Sequence, residues 1–216
     1  MAVSLPNGSI VKLASGYGAA KSVTAISNAA EAVATLEASH GIVVGDFVEV
    51  TSGWSKLNNR IVRVSAVATN DVTLEGFNST STSRFPAGGG IGSVRKVSGW
   101  TQLAQILNSS SSGGEQQFAT YQFLEDDDEK RIPTSKSAAG ISFTVADDPD
   151  LPGYILAQEA DEDRLPRAAQ VLLSNGSILL YNAYVSLSTI PSLTVNEPMS
   201  TEATLSLLSS PVRYAA

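Results

Sequence analysis

The chain has 216 residues, 43% hydrophobic and 16% charged, with a formal net charge of −7 at pH 7. This supplies apolar material for one domain or two small ones, and it excludes a disordered chain. With no cysteine there is no disulfide, thiolate metal site or cysteine nucleophile, and any triad or histidine metal site would have to use the single histidine, His40.

No apolar run approaches the ~20 residues of a membrane span. The opening MAVSLPNGSIVKL lacks a basic region followed by an apolar block, so no signal peptide is expected. The charge is uneven. Residues 1–114 hold six acidic and eight basic residues (+2), residues 115–167 thirteen and five (−8), and the remainder Glu197, Glu202 and Arg213 (−1). Gripping a nucleic acid needs clustered Lys and Arg, and this balance argues against it.

In chain order, residues 1–19 read as a loose arm and a first strand, Ser9 to Leu13, followed by a Ser/Gly/Ala stretch. Residues 20–98 read as a compact β unit. Val23, Ala25 and Ala32–Leu36 suggest strands, although Asn28–Ala34 suits the start of a short helix equally well. Phe47–Val50, Arg60–Val67 and Val72–Glu75 are short strands at close spacing, the pattern of a small barrel or curled sheet. Asn78–Gly92 is a loop. Trp100, Leu103, Ala104 and Leu107 fall at helical spacing, and Asn108–Gly114 reads as a flexible tip. Gln117–Leu124 alternates as a strand and is followed by the charge run Glu125–Arg131 (EDDDEKR). Ile141–Val145 alternates again. Asp147, Asp148 and Asp150 then stand where caps would favour a helix through Leu151, Tyr154, Ile155 and Gln158, with Asp161–Asp163 in the loop that ends it.

The strongest local signal is Gln170–Thr189. Asn175-Gly176 predicts a type I′ turn between two strands. After it, Leu179, Tyr181, Ala183, Val185 and Leu187 make one apolar face, while Ile178, Leu180, Asn182, Tyr184 and Ser186 make a mixed one. That predicts a long strand with one side on a core. Thr201–Leu208 is a last strand.

No chemistry gathers around these elements. His40 has no G-x-S-x-G partner nearby. Gly88–Gly92 lacks the Lys-Ser/Thr of a phosphate loop. Asp126, Asp127 and Asp128 are adjacent, unlike the alternate ligands of a calcium loop. Trp54 and Trp100 read as core anchors, with a sugar-stacking platform as the alternative. No catalytic, cofactor or metal site is expected.

In this order, Trp100-Thr-Gln-Leu-Ala104, Leu124–Glu129, Lys136-Ser-Ala138 leading into Ile141–Val145, Pro152–Leu156, Ser174-Asn-Gly-Ser177, Val185-Ser186 and a closing strand resemble the tail tube protein (major tail protein) of long, non-contractile-tailed bacteriophages. The resemblance covers residues 100–208. Residues 20–98 depart from the simplest members and read as an insertion on the outer surface. Members often carry a C-terminal immunoglobulin-like domain, and none is expected here.

The resemblance implies a mainly β fold of two packed antiparallel sheets, a β-sandwich or partial barrel, with one flanking helix. The core, residues 99–216, would be completed by the first strand. It implies hexameric rings stacked into a tube, with genomic DNA passing through the lumen at ejection. It further implies a tape measure protein and tail-end proteins as partners, a place in the virion, and synthesis in the bacterial host cytoplasm. An acidic wall would repel phosphates. On this reading Glu125, Asp126, Asp127, Asp128, Glu129, Lys130 and Arg131 form an assembly loop. The hairpin with Asn175, Gly176, Tyr181 and Tyr184 forms tube wall. The alternatives are a solvated loop on a monomer, a ligand- or carbohydrate-binding β module, and another ring-forming tail component such as a tail terminator.

Overall fold

Alternation of apolar and polar residues over most of the chain leaves strands as the main way to bury side chains. The computed structural model describes residues 7–216, so the start of the expected N-terminal arm, residues 1–6, lies outside the described residues. The strands are β1 (Ile10–Tyr17), β2 (Lys21–Ile26), β3 (Val33–Leu36), β4 (Phe47–Ser52), β5 (Arg60–Ala68), β6 (Asp71–Leu74), β7 (Gly92–Leu103) and β8 (Ile106–Ser112). They continue as β9 (Gln116–Tyr121), β10 (Lys130–Lys136), β11 (Gly140–Ala146), β12 (Arg167–Leu172), β13 (Ile178–Leu187), β14 (Ser200–Leu207) and β15 (Val212–Tyr214). The one helix among the described residues, α1 (Pro152–Asp163), separates β11 from β12.

The fold is mainly β and antiparallel, with one helix, as expected. The sheets are joined rather than separate. One hydrogen-bonded sheet of 13 strands follows the order β2-β3-β6-β5-β4-β7-β1-β12-β13-β14-β11-β8, with β15 off this path on β13. β7 is the shared strand. Its first half lies between β2 and β4, which curls the early strands into a compact sheet, and its second half pairs with β1. The boundary drawn at residues 98/99 therefore falls inside β7. Among the described residues, β9 and β10 pair only with each other.

Three apolar clusters follow from this topology. Trp54, Leu57, Val62, Val64, Val72 and Leu74 are among those filling the curled sheet. Leu13, Phe143, Tyr181, Val185 and Leu205 pack with Leu156, Ala157 and Ala160 of α1 on one face of the larger sheet. Ala14, Val97, Ala168 and Leu180 meet Ile61 of β5 and Tyr214 of β15 on the opposite face.

Several local expectations are corrected by tertiary pairing. Trp100–Leu107 is not a helix. β7 continues to Leu103 because β1 offers it a partner (Leu103 opposite Val11), and Gln105 (φ 57°) turns the chain into β8. Asn108–Gly114 is largely β8, held by β11, with the turn confined to Gly113 and Gly114 (φ 73° and 78°). Asn28–Ala34 forms no helix and leads into β3. β1 runs past Leu13 to Tyr17, with register shifts at Gly16. β10 and β15 have no counterparts among the expected elements.

The helix forms where expected, but with other ends and another face. Its N-cap is Leu151, with no side-chain cap bond, and Asp148 instead accepts from the Asp150 N–H at 3.3 Å. Asp161–Asp163 belong to its last turn, and Arg164 (φ 54°) ends it. The buried residues are Gly153, Leu156, Ala157 and Ala160, while Ile155 stays 45% exposed. Small residues face the sheet because the backbones approach closely there.

The Asn-Gly turn forms, but in another type. The Leu173 N–H donates to the Ser177 carbonyl and the Gly176 N–H to the Leu173 carbonyl, both at 2.9 Å, and Gly176 carries the positive φ (83°). This is a three-residue loop of a type I turn closed by a left-handed glycine. The Asn175 carboxamide accepts from the Ser177 N–H (3.0 Å), a local bond that favours this geometry. β13 is also buried on both faces in its middle. Leu180, Tyr181, Asn182 and Ala183 are all buried, because the curled sheet covers the face opposite α1.

Candidate assembly site

The β9–β10 hairpin stands off the body. Every residue from Gln117 to Glu125 is exposed, as is all of β10. A lone two-stranded hairpin is marginal in water. Yet this one displays Phe118 (54% exposed), Phe123 (51%), Leu124 (104%) and Ile132 (52%). Its internal contacts are local. Tyr121 and Phe123 stack edge to face (5.3 Å), Lys130 lies over Phe123 (5.2 Å) and also pairs with Asp126, and the Gln122 side chain donates to the Asp126 carbonyl (2.8 Å). Glu125–Glu129 form the turn, and Lys130 and Arg131 open β10, opposite Tyr121 and Thr120. A second apolar group sits on the β13–β14 connection, at Ile190, Leu193, Val195 and Met199. β8 ends the strand order and, among the described residues, leaves one edge without a strand partner.

The hairpin residues singled out from sequence separate in space. Asn175 and Gly176 lie in the turn. Tyr181 joins the core cluster that includes α1, and Tyr184 points from the other face and is 45% exposed.

The remaining candidates have structural roles. Trp54 is 2% exposed and donates from Nε1 to the Pro86 carbonyl (2.9 Å). A Cβ at Gly90 would stand 3.0 Å from its ring, which accounts for the glycine-rich loop. That burial removes Trp54 as a sugar platform. Trp100 packs edge to face on Phe47 at 5.9 Å. His40 pins a turn, with Nδ1 accepting from the Ile42 N–H (3.1 Å) and Nε2 facing the Thr69 carbonyl (3.0 Å). Among the described residues, no group of three or more His, Asp or Glu side chains converges as a metal site, and no helix is long and apolar enough to cross a membrane.

Sequence reasoning missed the polar junction between the curled sheet and the larger one. Glu49 is 5% exposed and pairs with Arg95 at 2.5 Å. Asn182, fully buried, donates to Glu49 Oε1 (3.0 Å) and to the Asn59 carbonyl (3.1 Å). The Arg95 guanidinium lies over Tyr17 (4.0 Å), whose hydroxyl accepts from the Ala168 N–H at 2.7 Å. Nearby, Arg63 pairs with Glu75 (2.5 Å) and stacks on Tyr214 (4.5 Å). The available signal was Asn182 on an otherwise apolar strand, since a buried amide requires partners.

Burial pushes the Tyr17 and Tyr214 hydroxyls above the ordinary tyrosine value, and the backbone N–H each accepts only partly offsets it. A raised folded-state pKa means the native state keeps its proton longer. This contribution is complete below about pH 10 and is lost as pH rises through the folded-state values. Urea midpoints are expected to hold from neutral pH to about pH 10 and then fall, with a shallower fall in Tyr17→Phe. An equally steep fall in that variant would remove Tyr17 from the account.

Exposed apolar side chains are thus concentrated on the β9–β10 hairpin and the β13–β14 connection, with others such as Val43, Val44 and Leu165 elsewhere. The phage tail tube protein family model matches residues 52–216, and the chain belongs to that family. It is a structural component of a phage-type virion tail. The match begins within the stretch that the sequence sets apart as an insertion. Among solved structures, the chain is similar to one from the tail of an empty GTA particle with C6 symmetry (TM-score 0.44, 17% identity, 55% of this chain and 89% of that one). It is also similar to one from the native gene transfer agent virion (TM-score 0.41, 15%, 54% and 89%) and to the tube-terminating cap of the anti-feeding prophage (TM-score 0.36, 19%, 50% and 79%). No curated protein matches the chain.

Proposed function

We propose that the chain is a tail tube subunit that assembles with copies of itself into stacked hexameric rings around a lumen for DNA ejection. Its role is architectural rather than enzymatic. Family membership supports this reading, and the β9–β10 hairpin carries it. Aromatic and aliphatic side chains on both strands of an isolated hairpin need a neighbour to cover them. Glu125–Arg131 is the loop that meets the neighbouring subunit. The free edge of β8 and the β13–β14 connection supply further contact surface, because unpaired strand edges are closed by assembly. The β12–β13 hairpin contributes to the wall, with Tyr184 as its exposed side chain. Residues 20–98 form a unit on the outer surface, because a unit of that size inside would obstruct the lumen. Tape measure and tail-end proteins are the further partners, and the subunit is made in the host cytoplasm. DNA passes without specific binding, in keeping with the net charge of −7.

Negative-stain electron microscopy with sedimentation velocity on the same sample tests this. Hollow tubes or six-fold rings are expected. A uniform 22.5 kDa monomer that stays monomeric on concentration and binds glycans would replace the tube with a binding module.

A further inference from the structure

The acidic loop has a counterpart elsewhere on the molecule. Lys56, Arg60 and Arg84 line one cleft of about 320 Å³ with Phe77, Asn78 and Ser210, and no acidic residue lines it. Lys56 and Ser210 also border an adjoining groove that reaches Lys136. Among the described residues, none of Lys56, Arg60 and Arg84 makes an ion pair. Arg60 Nε is buried without a hydrogen-bond partner, and its guanidinium lies over the Phe77 ring at 5.6 Å. Burial lowers the Arg60 pKa. A buried guanidinium nitrogen with no acceptor is unfavourable, and a carboxylate matches the donor fork of the half-buried Arg60.

Such a concentration of unpaired cations is unusual in a chain with 21 acidic and 14 basic residues. The loop carries the opposite charge. Asp126 pairs with Lys130, while Glu125, Asp127, Asp128 and Glu129 are exposed and make no ion pair among the described residues. Fully exposed Leu124 precedes them, so the segment is apolar then acidic, and the cleft is aromatic and basic. Within one chain the loop's hydrogen bonds are to its own hairpin.

We infer that this cleft is the seat for the Glu125–Glu129 loop of a second copy of the chain. The inference rests on the assembly reading above and gives that contact a location. It places residues from the early curled sheet, and Ser210 near the C-terminus, against the hairpin of a neighbour. Complementary charge of this kind sets partner register and encounter rate.

The cysteine-free sequence provides a clean test. Full-length Ser210→Cys and Asp127→Cys proteins, both leaving the cleft cations in place, are mixed and oxidised. The mixed disulfide is expected to exceed either homodimer about tenfold, the preference that complementary charge confers. It should vanish with Lys56→Glu in the cleft partner, and at about 1 M salt, where the Debye length falls to about 3 Å. Normal tubes without the mixed disulfide overturn the seat and leave the tube reading standing. Mixed disulfides from a protein that forms no rings do the reverse. Absence of both overturns both. A short DNA duplex retarded by the parent protein but not by Lys56→Glu, with no mixed disulfide, would make the cleft a phosphate site and overturn the proposal.

Discussion

Deleting Glu125–Arg131 is expected to give a folded, soluble monomer that no longer polymerises. Among the described residues, the loop's hydrogen bonds are confined to its own hairpin, and β9 and β10 pair only with each other, so the three core clusters keep all their members. The deletion removes the Lys130–Tyr121 and Arg131–Thr120 pairs at the hairpin end and leaves Ile132 opposite Ala119 within reach of a short turn. Changes at such surface sites usually fall within about 0.5 kcal/mol, so the urea midpoint should hardly move. Assembly should be lost altogether, because the residues proposed to reach the next subunit are gone. Circular dichroism and electron microscopy on one preparation separate the two effects. Normal tubes from the deletion would sink the assembly role of the loop, and a lowered midpoint would show that it also supports the fold.

Gly153→Ala is expected to destabilise the fold by about 3 kcal/mol, toward the upper end of overpacking costs. In an exposed helix the same change stabilises by about 1 kcal/mol, because alanine loses less backbone entropy. Here the sign reverses. A Cβ at position 153 would stand 2.2 Å from the Gln102 carbonyl oxygen and 2.9 Å from the Leu103 Cα. Both are backbone atoms of β7, the strand shared by both sheets, and neither can swing aside. α1 would have to lift from the cluster that holds Leu156, Ala157 and Ala160. Urea unfolding followed by far-ultraviolet circular dichroism measures this directly. A variant as stable as the parent would mean that α1 shifts along the sheet without losing its packing.

The two predictions rest on different kinds of information. The first strand and the acidic run could be read from alternation in Gln117–Leu124 followed by EDDDEKR, since period and charge are local properties, whereas the returning strand β10 could not. Nor could the importance of Gly153. Within the sequence it is a glycine after a proline at a helix start, and only the approach of β7 makes it irreplaceable. The same division runs through the rest of the chain. β4, β5, β6, β11, β13 and β14 were legible because apolar residues alternate along them. Trp100–Leu107 was misread because four apolar residues fit a helical period by chance, and pairing with β1 outweighed so short a signal.

The sequence by itself determined that the protein is mainly β with one helix, where the central hairpin turns, where negative charge concentrates, and which family it resembles. These depend on composition, period and motif order, which survive without coordinates. Tertiary structure decided that β7 belongs to both sheets, that β13 is buried on two faces, and that Glu49, Asn182 and Arg95 meet at the junction between them. It also brought Lys56, Arg60 and Arg84 into one cleft with Ser210. Those outcomes depend on contacts between residues far apart in the chain, such as Ile10 and Leu172 or Ser209 and Asn59. Long-range antiparallel pairing sets these contacts, and no local pattern encodes them.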